Sequence, residues 1–207
     1  MYRLYWCPFT ASLAPMAVLE EIGVGYEAEL VDTAKGGQKS PDYLALNPCG
    51  LVPAITLHDG RTMFESAAIV MHLCDRHPAA GLAPALDDPQ RPLYYQWILY
   101  LADTPQPNYR RIYYPERFSA DDADLEGIRT RGVADLLANW KIVDDALADG
   151  AWLLGERFSA CDIYMLMLTT WFEPPEALYE THPNIARCAQ LTATRPAVAR
   201  ALTRHGQ

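Results

Sequence analysis

The sequence predicts an α+β fold in two parts, a small mixed unit over residues 1–80 and an all-helical unit over residues 88–207. Three observations lead there. Strand-like and helix-like patterns alternate as far as His77. Asp59-Gly60 is a strong hairpin turn signal between two short apolar runs. Beyond the prolines Pro78, Pro84, Pro89 and Pro92, the apolar patterns keep helical spacing and no convincing strand appears.

Tyr2 to Trp6 is an aromatic-rich run that reads as a strand and ends at Cys7-Pro8. Ser12 to Ile22 carries Leu13, Met16, Ala17, Val18 and Leu19 at helical spacing, with Ser12 as N-cap and Pro15 tolerated in the first turn. Gly23 and Gly25 stop this helix, and Tyr26 to Val31 alternates as a second strand. Pro41 to Leu46 suits a short helix. Val52 to Leu57 and Thr62 to Phe64 form the hairpin, and Ser66 to Arg76 forms the next helix. The order is therefore β-α-β-α-β-β-α.

In the second part, Arg91 to Ala102 is apolar and aromatic at helical spacing. Pro105 and Pro107 should kink or break this helix. Ala123 to Leu147 reads as one long amphipathic helix, interrupted only by Gly127 and Gly132. Ser159-Ala160-Cys161-Asp162 has the form of a capping box before the apolar run Ile163 to Trp171. Asn184 to Thr194 and Pro196 to Arg204 read as two more helices.

Composition excludes several functions. Half of the 207 residues are hydrophobic, enough for a sizeable core. The formal net charge of −9 argues against a nucleic-acid partner, which needs a basic face. No segment has the roughly 18 consecutive apolar residues of a membrane span. No secretory signal pattern opens the sequence, so the expectation is a cytoplasmic protein without a membrane partner. Cys7, Cys49, Cys74, Cys161 and Cys188 are widely scattered and lack metal-ligand spacing. His72 and His77 bring no third ligand, so no metal is expected.

Two stretches carry a specific resemblance. The first is Asn47-Pro48-Cys49-Gly50-Leu51-Val52-Pro53-Ala54-Ile55, and the second is Phe64-Glu65-Ser66-Ala67-Ala68-Ile69. Together, with a hairpin between them, they resemble the glutathione transferase family, and the likeness extends over nearly the whole chain. It implies a thioredoxin-like glutathione-binding domain over residues 1–80. It implies an all-α domain for substrate and dimerisation over residues 88–207. It also implies glutathione as co-substrate, a small hydrophobic electrophile as partner, a homodimer and a role in detoxification.

The resemblance gives particular residues particular work. Val52-Pro53 is expected to be cis, so that Val52, beside Leu51 and Pro53, offers its N–H and C=O to the cysteinyl part of glutathione, as an added strand does. The bland alternative is that Pro53 merely ends an edge strand. Ser66, at a helix N-terminus, would take the γ-glutamyl carboxylate and Glu65 the ammonium. Gln38 and Lys39 resemble a pair that meets the glycine carboxylate, with Lys35 a second candidate; a solvated loop is the alternative for these.

The catalytic residue is less determined. A free thiol has a pKa near 8.5, and lowering it by about two units takes roughly 2.7 kcal/mol of preference for the anion. A donor aimed at the sulfur near a helix N-terminus can supply much of that. The segment Tyr5 to Pro15 resembles bacterial beta-class members in spacing. Ala11 stands where they carry a Cys, Trp6 stands where they carry a Tyr, and Ser12 is retained. Ser12 is therefore the first candidate. Cys7-Pro8-Phe9 resembles the active-site start of thiol-disulfide members of the family, so Cys7 is the second. Tyr5 and Thr10 are lesser candidates. A glutathione-dependent thiol-disulfide or deglutathionylating catalyst is the alternative activity, and a non-catalytic ligand-binding protein of the same fold is a further one.

Overall fold

In a computed structural model that describes residues 1–206, the chain forms two compact units. One contains Met1–Asp88 together with the segment from Leu191 onward, and the other contains Pro89–Gln190. The units thus depart from chain order, since the sequence groups everything from residue 88 to the end.

The first unit is built on a four-stranded sheet in the order β2-β1-β3-β4, comprising β1 (Tyr2–Trp6), β2 (Tyr26–Leu30), β3 (Ala54–Thr56) and β4 (Thr62–Phe64). β1 pairs parallel with β2 and antiparallel with β3, and β3 pairs antiparallel with β4. β1 is flanked on both sides, which suits its four buried residues; only Arg3 is exposed. On the solvent face Arg3 pairs with Glu27 at 2.7 Å, its register partner on β2. β3 is shorter than the expected Val52 to Leu57. Pro53 has no N–H to give a ladder, and Leu57 already belongs to the turn, donating to the Arg61 carbonyl.

Helix α1 (Leu13–Ile22) buries seven of its ten residues. α2 (Pro41–Leu46) starts from a working cap, in which Ser40 Oγ accepts from Tyr43 N–H. α3 (Ser66–Arg76) buries Ile69, Val70 and Leu73, and packs against α1. The core gathers Leu4, Met16, Leu19, Ile55, Ile69 and Leu73, each contributing about 1.5–3 kcal/mol by leaving water. The last helix, α10 (Pro196–His205), packs on α1. Arg195 grips Glu21 with two bonds of 2.8 Å, and Arg200 meets Glu20 at 2.8 Å. These contacts join the end of the chain to its beginning.

The second unit is all helical among its described residues. It holds α4 (Arg91–Asp103), α5 (Pro105–Tyr113), α6 (Leu125–Ala146), α7 (Ala160–Thr169) and α8 (Pro175–Thr181). α9 (Pro183–Ala193) runs across the boundary of the units. The break expected at Pro105 occurs there: α4 ends at Asp103 and α5 restarts with both prolines in its first turn. The expected interruptions in α6 do not occur. Gly127 and Gly132 both stay helical, and at Gly132 α5 approaches closely: an added Cβ would lie 3.0 Å from Arg111 Cβ.

α7 is buried over all ten residues. Its start is the capping box expected from the sequence, Ser159 bonding the helix and Asp162 Oδ2 accepting the Ser159 N–H at 2.8 Å. Asp162 Oδ1 also accepts the Leu153 N–H at 2.9 Å. Trp140, Tyr94, Tyr164, Ile98 and Leu101 complete this core.

Candidate functional site

The expected site residues of the first unit converge through the register of the sheet. Tyr5 of β1 lies opposite Ala54 of β3, and Ala54 lies opposite Phe64 of β4. Both ladders end there: the cis Val52-Pro53 bond precedes Ala54, and Glu65, at φ +69°, follows Phe64. The chain on either side of Val52, the start of α3 and the segment after Trp6 therefore leave the sheet at the same end.

Val52-Pro53 is cis, as the resemblance implies. Among the described residues, the N–H and C=O of Val52 have no hydrogen-bond partner. The preceding carbonyl is held firmly: Leu51 O accepts from Tyr43 Oη at 2.8 Å and from Asn47 Nδ2 at 2.7 Å. Asn47 Oδ1 also accepts from Cys49 N–H at 3.0 Å. Tyr43 and Asn47 are buried, so this segment is braced from below while Val52 keeps its backbone groups open. The sequence assigns neither residue this role. Asn47 opens the first of the two resemblance stretches, four residues before Leu51, and nothing else in the chain marks it.

Lys39 approaches the same loop. Its Nζ lies 3.3 Å from the Cys49 carbonyl. Gly50 has φ +60°, and an added Cβ would fall 2.6 Å from Lys39 Nζ and 3.0 Å from the Gln38 carbonyl. The turn at residue 50 therefore requires glycine both for its backbone angle and for its space. Gln38 precedes Lys39 in a single 3₁₀ turn, and its Oε1 is buried without a partner. Lys35 is held elsewhere, paired with Asp32 at 2.9 Å.

Glu65 is the N-cap of α3, exposed, with φ +69°. A glutamate in that region is strained, of order 1–3 kcal/mol. Ser66 follows as the first helical residue and is buried. The helix N-terminus that these residues form carries a partial positive charge.

The loop from Cys7 to Ser12 closes on itself. Ser12 Oγ accepts from Cys7 N–H at 3.2 Å and stands 3.1 Å from the Cys7 carbonyl. Thr10 Oγ1 lies 2.7 Å from both that carbonyl and Ser12 Oγ. Ser12 is fully buried, at 0% exposure, and its side chain does not cap α1. The expected cap is absent because the hydroxyl is spent on Cys7. Thr10 supplies a substitute, its hydroxyl accepting from Ser12 N–H. Cys7 and Thr10 are partly exposed, and Phe9 is carried outward at φ +55°. Cys7 Sγ sits 3.2 Å from Thr33 Oγ1, a neighbour no sequence pattern marks. Tyr5 is turned away from this surface, buried edge-on against Tyr43.

The second unit holds an aromatic group of its own. Tyr109 stacks parallel to Tyr113 at 6.3 Å and meets Trp171 edge-on at 5.6 Å. Tyr113 Oη donates to the Trp171 carbonyl at 2.6 Å. Burial pushes the Tyr109 hydroxyl far above its usual range. Among the described residues, no group of histidine, cysteine and carboxylate side chains can hold a metal ion.

Comparison with known proteins agrees with this architecture. Residues 6–76 match the family described as glutathione S-transferase, N-terminal domain. A glutathione S-transferase of Escherichia coli O157:H7 is 29% identical over 205 residues, covering 99% of this chain and 98% of that protein. Glutathione S-transferase 1 of Schizosaccharomyces pombe is 30% identical over 160 residues, covering 75% of this chain and 68% of its own. A glutathione transferase homologue from Sulfitobacter, solved with bound glutathione, superposes with a TM-score of 0.91 at 29% identity, covering 99% of this chain and 98% of that one.

Proposed function

The chain belongs to the glutathione S-transferase family, and from that premise we propose that it joins the thiolate of glutathione to a small, hydrophobic electrophile. The observation that carries this reading is Val52. Among the described residues its backbone N–H and C=O are unpaired, and the preceding Leu51 carbonyl is braced by Tyr43 and Asn47, at the end of the sheet where α3 begins. Such an edge accepts a short extended peptide by strand addition.

Glutathione is the co-substrate. Leu51, Val52 and Pro53 hold its centre, Glu65 its ammonium and Ser66 its γ-glutamyl carboxylate. Gln38 and Lys39 take the glycine carboxylate; Lys39 suits this role through its exposed charge beside the Cys49 carbonyl. The thiol loses its proton to solvent, the sulfur forms a bond to the electrophilic carbon, and a leaving group departs with its electron pair. Holding the thiolate beside its partner supplies the larger share of the rate.

Ser12 acts as the organiser of the sulfur-facing loop. Its bonds to both backbone groups of Cys7 set the positions of the Cys7 thiol and the Thr10 hydroxyl. The Thr10 hydroxyl is free to turn from the Cys7 carbonyl to an incoming thiolate, because Ser12 continues to bond that carbonyl. The aromatic group on α5 and Trp171 suits a hydrophobic electrophile. A homodimer acting in the cytoplasm, in detoxification, completes the reading.

One observation favours a second activity. The Cys7 thiol is partly exposed beside the Thr33 hydroxyl. A thiol-disulfide catalyst would use it to attack a glutathionylated sulfur, release the other thiol and pass the mixed disulfide to free glutathione. Retention on immobilised glutathione, followed by conjugation assays of Cys7→Ser, separates the readings. Conjugation that survives Cys7→Ser supports transfer; reductase activity that vanishes with it supports the second. A chain that fails to bind immobilised glutathione contradicts both.

A further inference from the structure

At the opposite end of β1 from Cys7 lies a cleft of about 320 Å³ floored by Tyr2. β1 rises about 3.3 Å per residue, so the cleft is roughly 17 Å from the loop that begins at Cys7. It is therefore separate from the glutathione site. His58, His72, Arg61 and Arg76 line it. His77 adjoins it, with Nε2 3.1 Å from Tyr2 Oη. Three of the chain's five histidines thus gather in one place with two arginines, in a protein of formal charge −9.

The charges in this cleft are unequally occupied. Arg61 is tied to Asp59 through contacts of 2.8 and 2.7 Å. Arg76, one turn along α3 from His72, has no ion pair or hydrogen bond among the described residues. The His58 ring stands edge-on to Tyr2 with centroids 4.1 Å apart. Burial and the Arg76 charge hold His72 below the usual histidine range. Burial, Arg76 and His58 do the same to His77. Opposing these are Asp75 and the already paired Asp59. No three side chains here have the disposition of metal ligands.

We propose that this cleft binds a divalent tetrahedral oxyanion, a sulfate or phosphate group, with Arg76 as its fixed cationic anchor and His58 and His72 as the donors that complete it. Such an anion removes the mutual repulsion that holds His72 and His77 low, so binding carries proton uptake by these two rings and strengthens as the pH falls. The planar guanidinium of Arg76 presents paired donors to such an ion.

Sulfate is the cleaner probe, because its charge is constant across the pH range used. The labelled full chain is titrated with sodium sulfate against sodium chloride of equal ionic strength, at pH 6 and pH 7.5, with the histidine ring resonances as the readout. The expected result is saturable shifts at His58, His72 and His77, an affinity about tenfold higher at pH 6, and a loss of about tenfold in Arg76→Gln. Arg76→Lys should retain part of the affinity, and every variant should still bind immobilised glutathione. A phosphate monoester that binds more tightly than inorganic phosphate assigns the cleft to the end of a larger metabolite, and equal binding assigns it to the free ion. Shifts that match those in chloride, or that persist unchanged in Arg76→Gln, overturn the proposal.

Discussion

Two serines stand before helices in this chain and do opposite things. Ser159 adopts an extended backbone, caps α7 and shares a carboxylate with it. Ser12 has a helical backbone, leaves α1 uncapped by its side chain and ties its hydroxyl to Cys7. The first spends its hydroxyl on stability. The second spends it on the shape of a loop at the glutathione-binding edge. A residue type at a helix start is therefore no guide to its role until the backbone angles and the partners are known.

Removing the partner of Ser159 should give the largest effect. Asp162→Ala leaves the N–H groups of Leu153 and Ser159 buried without an acceptor, at about 1–3 kcal/mol each. The melting temperature should fall by roughly 10 °C, at about 2–4 °C per kcal/mol for a chain of this size. A shift of a degree or two would show that the capping network matters little.

Two buried groups, Asp162 and His205, should come next, one in each unit. Asp162 is pushed up to about 6, chiefly by burial, so its contribution to stability is present below the usual carboxylate pKa and is lost as the pH rises through 6. His205, at 0% exposure with neither ring nitrogen partnered, is pushed down to about 4 by burial and then by Arg204. Its contribution is present above the usual histidine pKa and is lost as the pH falls towards 4. The two oppose one another between pH 4 and 6, so in the wild type each offsets part of the other's pH dependence. Asp162→Asn unmasks His205: stability should then climb with pH from 4 to 6.5, by on the order of 3 kcal/mol in all. A flat profile in that variant would remove His205 from the account.

Ser12→Ala and Ser159→Ala sharpen the contrast directly. Ser159→Ala should cost about 1 kcal/mol and leave conjugation kinetics unchanged. Ser12→Ala should cost a similar amount through its lost loop bonds, while kcat/KM for conjugation falls on the order of 100-fold. The ultraviolet absorbance of the bound thiolate should titrate at higher pH in Ser12→Ala, which a purely structural loss would not produce. Equal kinetics in the two variants would erase the distinction between these serines.

The secondary structure was largely legible because it rests on local patterns. Helical spacing marked α1, α4 and α10, and Asp59-Gly60 marked the hairpin to within a residue or two. The misses have tertiary causes. Gly132 looked like an interruption and is instead a point of close approach between α5 and α6. Ser12 looked like a cap, but its hydroxyl had a nonlocal use. Tyr43 looked ordinary and Asn47 only part of a signature, yet both brace the Leu51 carbonyl from beneath the site.

The sequence by itself determined the β-α-β-α-β-β-α order of the first part, the acidic balance and the Leu51 to Ser66 signature, while α5 and α8 were not read from it. Each of these depends on composition or on residues near one another in the chain. Only the tertiary structure decided that the Leu51 carbonyl is braced by Tyr43 and Asn47 while Val52 keeps its backbone groups open, and that α10 returns to α1. It also decided that Ser12 is buried while Cys7 and Thr10 face outward. Register and packing set those outcomes, because they couple groups that no local pattern can bring together.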